Sequence, residues 1–184
     1  PALRAERVER ILNGRYQGLR LTGQTVSDPE ATGRPFTLTF AGTVGSLASG
    51  DPSRLRVPRP AGGDGYATRL ASESQRTLPL VLGPPATFET RFRYVLPPGW
   101  ALDGLPTGGE GEGELGRWRV SWQSEAGAAT ATTRLTFTRD QVPPEGYPAF
   151  RAWLTAFEAV VSAPMSVVRA PSARVPTTEE PSAQ

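Results

Sequence analysis

Glycine and proline recur along the whole chain and divide it into short segments. The 184 residues include 20 glycines and 19 prolines. Glycine loses backbone entropy when a helix orders it, and proline removes a helical hydrogen bond, so this punctuation disfavours a bundle of long helices. It favours short strands joined by many turns. A chain of this length can bury one good-sized core, and we therefore expect one domain.

Between these breaks, apolar and polar residues alternate with the period of two that is typical of half-buried strands. The alternation predicts strands over residues 17–26, 34–44, 66–72 and 86–96, and a buried strand over 76–82. Segment 46–65 is predicted to be mostly loop, with Leu55 and Val57 as a candidate edge strand. Runs 117–123 and 129–139 predict an antiparallel hairpin, because only a short turn separates them.

Both ends of the chain show helical periodicity. Residues 3–13 carry an apolar stripe that Asn13-Gly14 ends, which predicts a short helix or linker within residues 1–15. Near the C-terminus, apolar residues recur at spacings of three and four: Tyr147, Phe150, Trp153, Leu154, Phe157, Val160 and Val161. With Pro148 in its first turn and Pro164 beyond its end, this helix is predicted over about residues 145–163, followed by a terminal strand over 165–168.

Together these elements predict a mainly β fold. We expect an antiparallel β-sandwich with a short N-terminal helix and the amphipathic C-terminal helix packed on it. The sandwich and its helix are predicted to occupy residues 16–169. Residues 170–184 are rich in Pro, Ser, Thr and Glu and have too little apolar surface to fold, so we expect a disordered tail.

The chain contains no cysteine and no histidine. This composition excludes disulfides, thiolate metal sites, cysteine nucleophiles and histidine-dependent triads. All 20 basic residues are arginines, so Schiff-base chemistry on lysine is also excluded. Paired carboxylates or an activated hydroxyl are the remaining routes to catalysis. We expect no catalytic residue, no cofactor and no metal site.

Charge and hydropathy narrow the set of partners. The net charge is +2, and the arginines are interleaved with 18 carboxylates. Nucleic-acid binding needs a concentrated basic face that releases counterions, so we expect no nucleic-acid partner. No apolar run approaches the roughly 18 residues of a membrane-spanning helix, so we do not expect a transmembrane protein.

A series of short motifs, in a fixed order over roughly residues 5–168, resembles one protein family. The motifs are Tyr16-Gln17-Gly18, Val26-Ser27-Asp28, Pro35-Phe36, Arg76, Leu78-Pro79-Leu80-Val81-Leu82, Leu96-Pro97-Pro98-Gly99-Trp100, Leu105-Pro106, Leu115-Gly116-Arg117-Trp118, and Val142 to Arg151 with Glu145-Gly146-Tyr147-Pro148. The family is the C-terminal β-rich domain of large bacterial envelope proteins that carry a transglutaminase-like domain and flanking domains of unknown function.

The resemblance implies a non-catalytic accessory or scaffolding domain of a periplasmic or secreted protein. Its implied partner is the preceding transglutaminase-like domain of the same parent protein. The family's catalytic Cys, His and Asp lie in that preceding domain, so no catalytic residue is carried over. The alternative is a module that binds an envelope polysaccharide or peptide, in which case an envelope protein or polysaccharide would be the partner.

Three glutamates spaced by glycines, Glu110, Glu112 and Glu114, could supply carboxylates for glycoside hydrolysis or oxygen ligands for calcium. The glycines predict a mobile loop over residues 107–115, whereas a general acid needs a rigid seat that raises its pKa. A solvated loop is therefore favoured. The segment resembles a phosphate-binding loop only in its glycines.

Aromatic and arginine side chains are the other candidates. Trp118 and Trp122 are predicted to be core, whereas Trp100 follows a Pro-Pro-Gly turn and is predicted to be the most exposed tryptophan of the three. Five arginines on predicted strands could form an anion-binding ladder or a solvated face opposite carboxylates such as Glu89 and Glu125: Arg91, Arg93, Arg117, Arg119 and Arg134. Our predicted ligand or partner contacts are the following four residues: Trp100, Tyr94, Arg91 and Arg93.

Overall fold

The computed structural model describes residues 6, 9–10, 13, 18–28, 30, 33–35, 37–45, 47–59 and 65–170. Within these ranges the strands are β1 (Arg20–Val26), β2 (Leu38–Thr43), β3 (Ser49–Gly50), β4 (Arg54–Val57), β5 (Leu80–Val81), β6 (Ala86–Val95), β7 (Trp100–Gly104), β8 (Gly109–Gly113), β9 (Gly116–Glu125), β10 (Ala128–Phe137), β11 (Gln141–Val142) and β12 (Met165–Arg169). The helices are α1 (Tyr66–Leu70) and α2 (Tyr147–Val161), with a 3-10 turn at Pro144–Gly146 before α2.

Two four-stranded antiparallel sheets dominate the structure. The main sheet has the order β6-β10-β9-β8, and the second sheet has the order β3-β4-β12-β7. Two smaller antiparallel pairs, β1-β2 and β5-β11, lie outside them. The prediction of a mainly β, antiparallel fold with a C-terminal helix is confirmed.

The β9–β10 hairpin forms the centre of the main sheet. The predicted hairpin is present, but its turn is shorter than the predicted segment 124–127: Glu125 pairs with Ala128, so Ala126 and Gly127 form a two-residue loop. Gly127 has a φ of 70°, a left-handed conformation that suits such a turn. Side chains alternate between the two faces, and the inner face carries the buried residues Trp118, Val120, Ala131, Leu135 and Phe137.

Helix α2 covers one end of this inner face. The five residues of its apolar stripe are almost wholly removed from water, at 2% exposure or less: Tyr147, Phe150, Leu154, Phe157 and Val161. Their rings contact those of the sheet, with centroids 5.8 Å apart for Trp118 and Phe157. The stripe therefore packs on the domain's own sheet, which confirms the preferred interpretation of its periodicity.

The second sheet covers the other end of the inner face, near the hairpin loop. Ala129 from β10 lies in one buried cluster with Met165 and Val167 from β12. Around them pack partly buried side chains from both sheets: Leu55, Val57, Tyr94, Leu96, Trp100, Leu102, Leu105 and Trp122. Strand β12 is central in its sheet, between β4 and β7, so the chain leaves α2 at Pro164 and enters the second layer directly.

Segment 66–72 was predicted to be a strand, and this was wrong. Residues Tyr66–Leu70 form helix α1. The ring of Tyr66 lies 5.9 Å from Phe88 and 6.3 Å from Phe157. The backbone N–H of Ala67 donates to Glu158 Oε1 at 2.8 Å, so a carboxylate on α2 satisfies one of the N–H groups that a helix start leaves unpaired. Contacts with residues far along the chain therefore stabilise the helical conformation of this segment.

Segment 76–82 was predicted to be a buried strand, and this was also wrong. Only Leu80 and Val81 form a strand, paired with the two residues of β11. Leu78 is 71% exposed and Val81 is 73% exposed. So short a pair cannot cover both faces of an apolar run.

Strand β2 was predicted to be half-buried, but all six of its residues are exposed. Leu38 and Phe40 each keep 37% of their area in water. Within the described part of the chain the strand pairs with β1 alone, and a two-stranded pair offers no second layer to bury its apolar face. Phe36, the third apolar residue of this run, lies outside the described residues.

Segment 107–115 was predicted to be a mobile loop, but most of it forms β8, an edge strand of the main sheet. Gly109, Gly111 and Gly113 alternate with the glutamates and lie beneath indole rings. A Cβ placed on Gly111 would lie 2.6 Å from Cε2 of Trp118, and one on Gly113 would lie 3.6 Å from the ring of Trp153. The glycines therefore let both indoles pack against the strand backbone.

Two predictions fall largely outside the described residues. Of the N-terminal helix predicted over 3–13, the described positions Glu6, Glu9, Arg10 and Asn13 are helical. Asn13 Nδ2 donates to the carbonyl oxygens of Glu9 and Leu19, each at 3.1 Å. Residues 171–184 of the predicted tail lie outside the described ranges, and the domain boundaries at 15 and 169 stay predictions.

We expect Gly111→Ala to lower the free energy of unfolding by about 1–3 kcal/mol, because its methyl group would overlap the Trp118 indole. The control is Gly104→Ala at the end of β7, where a Cβ meets nothing within 4 Å. Urea unfolding of both variants measures the difference. Equal stability of the two variants would contradict the packing of indole on glycine.

Candidate functional site

The outer face of the main sheet carries a row of four charged residues. The register aligns Glu89, Arg134, Arg119 and Glu110 across β6, β10, β9 and β8. Arg134 Nη2 lies 2.9 Å from Glu89 Oε2, whereas Arg119 Nε lies 4.0 Å from Glu110 Oε2. The two arginines are direct neighbours, so the flanking carboxylates offset a repulsion between like charges.

Nearer the hairpin loop, Arg93 is held by Glu125. Its Nη2 and Nε atoms donate to Glu125 Oε1 at 2.6 and 3.0 Å. Arg91 and Arg117 make no ion pair within 4 Å with any residue that the structure describes. The face therefore alternates paired and unpaired guanidinium groups.

A shallow hollow of about 530 Å³ opens on this face; its lining residues are Glu110, Gly111, Glu112, Arg117, Trp118, Arg119 and Arg134. The charged side chains are well exposed, by 75% for Arg119 and 76% for Glu110. Exposed ion pairs contribute at most about 1 kcal/mol each. Two carboxylates among three arginines leave little net positive potential for an anion.

The aromatic candidates lie on the opposite side of the main sheet. Tyr94 stacks on Trp122 with ring centroids 5.8 Å apart. Trp100 begins β7 in the second sheet, and the guanidinium of Arg169 lies 5.3 Å above its ring. Both Tyr94 and Trp100 pack against the cluster around Met165.

The structure therefore does not bring the four predicted contact residues together. Trp100 and Tyr94 share an interior cluster, whereas Arg91 and Arg93 point outward from β6. A single ligand that touches all four is not compatible with this arrangement. Contact of either pair with a ligand stays a prediction.

The three glutamates in and after β8 face solvent. Glu110 and Glu112 point outward from the sheet edge, and Glu114 follows the strand, with all three exposed. Among the described residues, no group of three or more Asp or Glu side chains is arranged to hold a metal ion. In addition, no helix among these residues is long and apolar enough to cross a membrane.

An apolar surface around β5 was missed by the sequence analysis. Leu78 and Val81 are its most exposed side chains, and Val81 lines a hollow with Pro84 and Pro85. Backbone hydrogen bonds hold the end of this segment: the N–H groups of Leu82 and Gly83 donate to the carbonyl oxygen of Asp140 at 2.7 and 3.2 Å. The prolines, which restrict strand length, were the signal that this apolar run is too interrupted to be a buried strand.

Among the described residues, the carboxyl of Asp51 has a shifted pKa. Asp51 lies in the turn between β3 and β4, and its Oδ1 accepts hydrogen bonds from Ser53 Oγ, from the Ser53 N–H at 2.8 Å and from the Arg54 N–H at 2.9 Å. These bonds favour the carboxylate, so the pKa of Asp51 lies below its ordinary value. The group is fully exposed, and its role is to hold the turn.

Two comparisons relate the chain to known proteins. A family model described as "Domain of Unknown Function with solved-structure structure (DUF3858)" matches residues 60–163. The crystal structure of a candidate protease from Parabacteroides distasonis ATCC 8503 aligns with a TM-score of 0.53 at 12% identity, over 64% of this chain and 24% of that chain. No curated protein matches the sequence. The structural likeness shows a shared fold, and the aligned region spans only 24% of the larger chain.

The turn at Asp51 should respond to acid. Since folding lowers the pKa of this carboxyl, its stabilising effect is present above the ordinary pKa of aspartate and is lost as the pH falls through the lower, folded value. We expect the amide resonances of Ser53 and Arg54 to shift over that acidic window in NMR spectra. In the Asp51→Asn variant, whose amide oxygen still accepts hydrogen bonds, this titration should be absent; its persistence would contradict the assignment.

Proposed function

This chain belongs to the DUF3858 family, and we propose that it is a non-catalytic accessory domain that packs against a neighbouring catalytic domain of a larger bacterial protein. The neighbour in this proposal is the transglutaminase-like domain of the same parent protein. The accessory domain would support the folding, spacing or docking of that neighbour.

The structural likeness supports a place within a larger protein. The matching region is 24% of a chain that is itself described as a candidate protease. A domain that recurs as a fraction of a longer chain is suited to an accessory role beside another domain. The ordered motifs that resemble the transglutaminase-associated family support the same neighbour, and they also support a periplasmic or secreted location in the cell envelope.

Apolar side chains that the domain does not bury itself are available for contact with a neighbouring domain. The apolar stripe of α2 is fully used within the domain, since Leu154 and Phe157 are 0% exposed. The β5 segment, in contrast, leaves Leu78 and Val81 more than two-thirds exposed. Contiguous exposed apolar surface marks sites of contact with other protein units, and the proposal assigns that role to Leu78 and Val81.

The exposed pair Leu78 and Val81 is the single observation that carries the proposal. Both residues lie within the part of the chain that matches the family, residues 60–163. Val81 pairs with Gln141 of β11, and the next two residues, Leu82 and Gly83, donate to the carbonyl oxygen of Asp140, so the backbone at Val81 is held in place. A pre-organised segment loses little conformational entropy when a neighbouring domain covers it.

Binding of an envelope polysaccharide or peptide through Trp100 has less support. The ring lies beneath the Arg169 guanidinium and contributes to the cluster of Met165 and Val167. A sugar-binding platform needs an open aromatic face. No observation favours this second function over the first.

We expect Val81→Asp to weaken the contact between the domains in the longer protein. Burial of a valine side chain stabilises by roughly 1.5–3 kcal/mol, so a charge at this position should lower the unfolding free energy of the joined domains by a similar amount. The same substitution should change the isolated 184-residue chain little, since Val81 is 73% exposed there. Calorimetry of the long and short proteins measures both effects.

The matched control is Val95→Asp, because Val95 is 67% exposed and pairs with Ala128 at the opposite end of β6 and β10. This variant should leave the joined domains unchanged. If the two domains tumble independently in NMR relaxation experiments, and if their stabilities do not change on separation, the accessory role is wrong.

A further inference from the structure

Strand β6 forms one edge of the main sheet along its full length. All ten residues, Ala86–Val95, pair with β10 in one unbroken register. No strand among the described residues pairs with the other side of β6. An edge of this length presents a row of unpaired backbone groups that can accept another strand.

The direction of the backbone groups identifies which residues face the open edge. The N–H of Leu96 donates to the carbonyl of Gly127, at the β10 side. Because these groups alternate along an antiparallel strand, the even-numbered residues of β6 bond to β10. The odd-numbered residues, Thr87, Glu89, Arg91, Arg93 and Val95, therefore present N–H and C=O groups to the open edge.

Within the described residues, strand β6 itself has few of the usual features that prevent strand pairing, although the Arg59 guanidinium lies 5.4 Å from the centre of the Phe92 ring on its inner face. Proteins protect edges with prolines, bulges, short strands or inward-pointing charges. Strand β6 contains no proline and no shift of register, and its inward-facing side chains are all uncharged: Ala86, Phe88, Thr90, Phe92 and Tyr94. The opposite edge of the sheet is different, because β8 is only five residues long and contains three glycines.

The charges on β6 are complementary to those of a second β6 strand. In an antiparallel pairing about a two-fold axis at Thr90, Glu89 lies opposite Arg91 of the second copy, and the reverse pair follows by symmetry. Arg91 is without an ion-pair partner among the described residues, so the pairing supplies one. An axis at Arg91 would instead place that arginine opposite itself, and like charges directly opposite are destabilising.

The inner face adds an aromatic contact in the same register. Phe88 lies opposite Phe92 of the second copy, again twice by symmetry. Phe88 is 46% exposed although it contacts Tyr66 and Phe137 at 5.9 and 6.3 Å. Cross-strand aromatic pairs are favourable, and this one would cover part of the exposed Phe88 ring, beside the Arg59 guanidinium that lies 5.4 Å from the centre of the Phe92 ring.

From these observations we infer that two copies of this chain pair antiparallel through β6, with the two-fold axis at Thr90. The main sheet would then continue from four strands in one copy to eight across the pair. The surface involved is a strand edge with two ion pairs and two aromatic pairs, so the association is reversible and depends on concentration.

A cysteine at the axis tests the register directly, because the chain has no native cysteine. Thr90 meets its own copy in a non-hydrogen-bonded pair, where Cα atoms are about 4.5 Å apart, a distance that a disulfide can span. We expect Thr90→Cys to form a covalent dimer on mild oxidation, seen on a non-reducing gel. The control is Thr87→Cys on the same strand, whose copies would be about 20 Å apart and should not cross-link.

Sedimentation equilibrium tests the charge pairing. The mass of the native chain should rise from 19.7 kDa towards twice that value with increasing concentration. Arg91→Glu should weaken dimerisation at least tenfold, because it places two glutamates opposite each other, whereas Arg93→Glu should retain the dimer because Arg93 faces Thr87. Circular dichroism confirms that each variant is folded. A monomer at every concentration, a dimer that Arg91→Glu leaves intact, or cross-linking at Thr87 but not at Thr90 would overturn the inference.

Discussion

The packing of α2 on the β9–β10 hairpin is the interaction on which the rest of the structure depends. Five side chains of one helical stripe, from Tyr147 to Val161, cover one end of the inner face of the main sheet. Without that layer the sheet would expose Trp118, Leu135 and Phe137 to water. In the same helix, the Glu158 carboxylate accepts a hydrogen bond from the first turn of α1. The chain continues from α2 directly into β12 of the second sheet. One element thus connects both layers.

The two faces of the main sheet have separate roles. The inner face is completed by α2 and by the second sheet, and the outer face remains a solvated array of arginines and glutamates with exposed ion pairs. Two small surfaces of the described residues are proposed for partners: the apolar segment at Leu78 and Val81, and the edge of β6. The apolar segment precedes β6 along the chain, whereas the axis of the inferred pairing between copies lies at Thr90, in the middle of β6.

The sequence predicted the elements whose residue pattern and burial agree. The β9–β10 hairpin and helix α2 are present, with the predicted faces buried, because alternation and helical spacing report directly which side of an element meets the core. The sequence pattern did not predict which of the candidate contact residues lie together. Alternation placed Arg91 and Arg93 on one face of β6 and Tyr94 on the other, but only the fold shows that Trp100 joins the cluster of Tyr94 and not the surface of the arginines.

By itself, the sequence determined the fold class, the central hairpin, the C-terminal helix and the exclusion of cysteine and histidine chemistry, since each follows from local pattern or composition. Only the tertiary structure decided that residues 66–70 form a helix, that the glycines of β8 belong to a strand, and that Leu78 and Val81 stay exposed. The physical reason is that these outcomes depend on distant partners. The Glu158 carboxylate, the Trp118 and Trp153 indoles and the short strand β11 each lie far along the chain or across the core from the residues whose structure they decide.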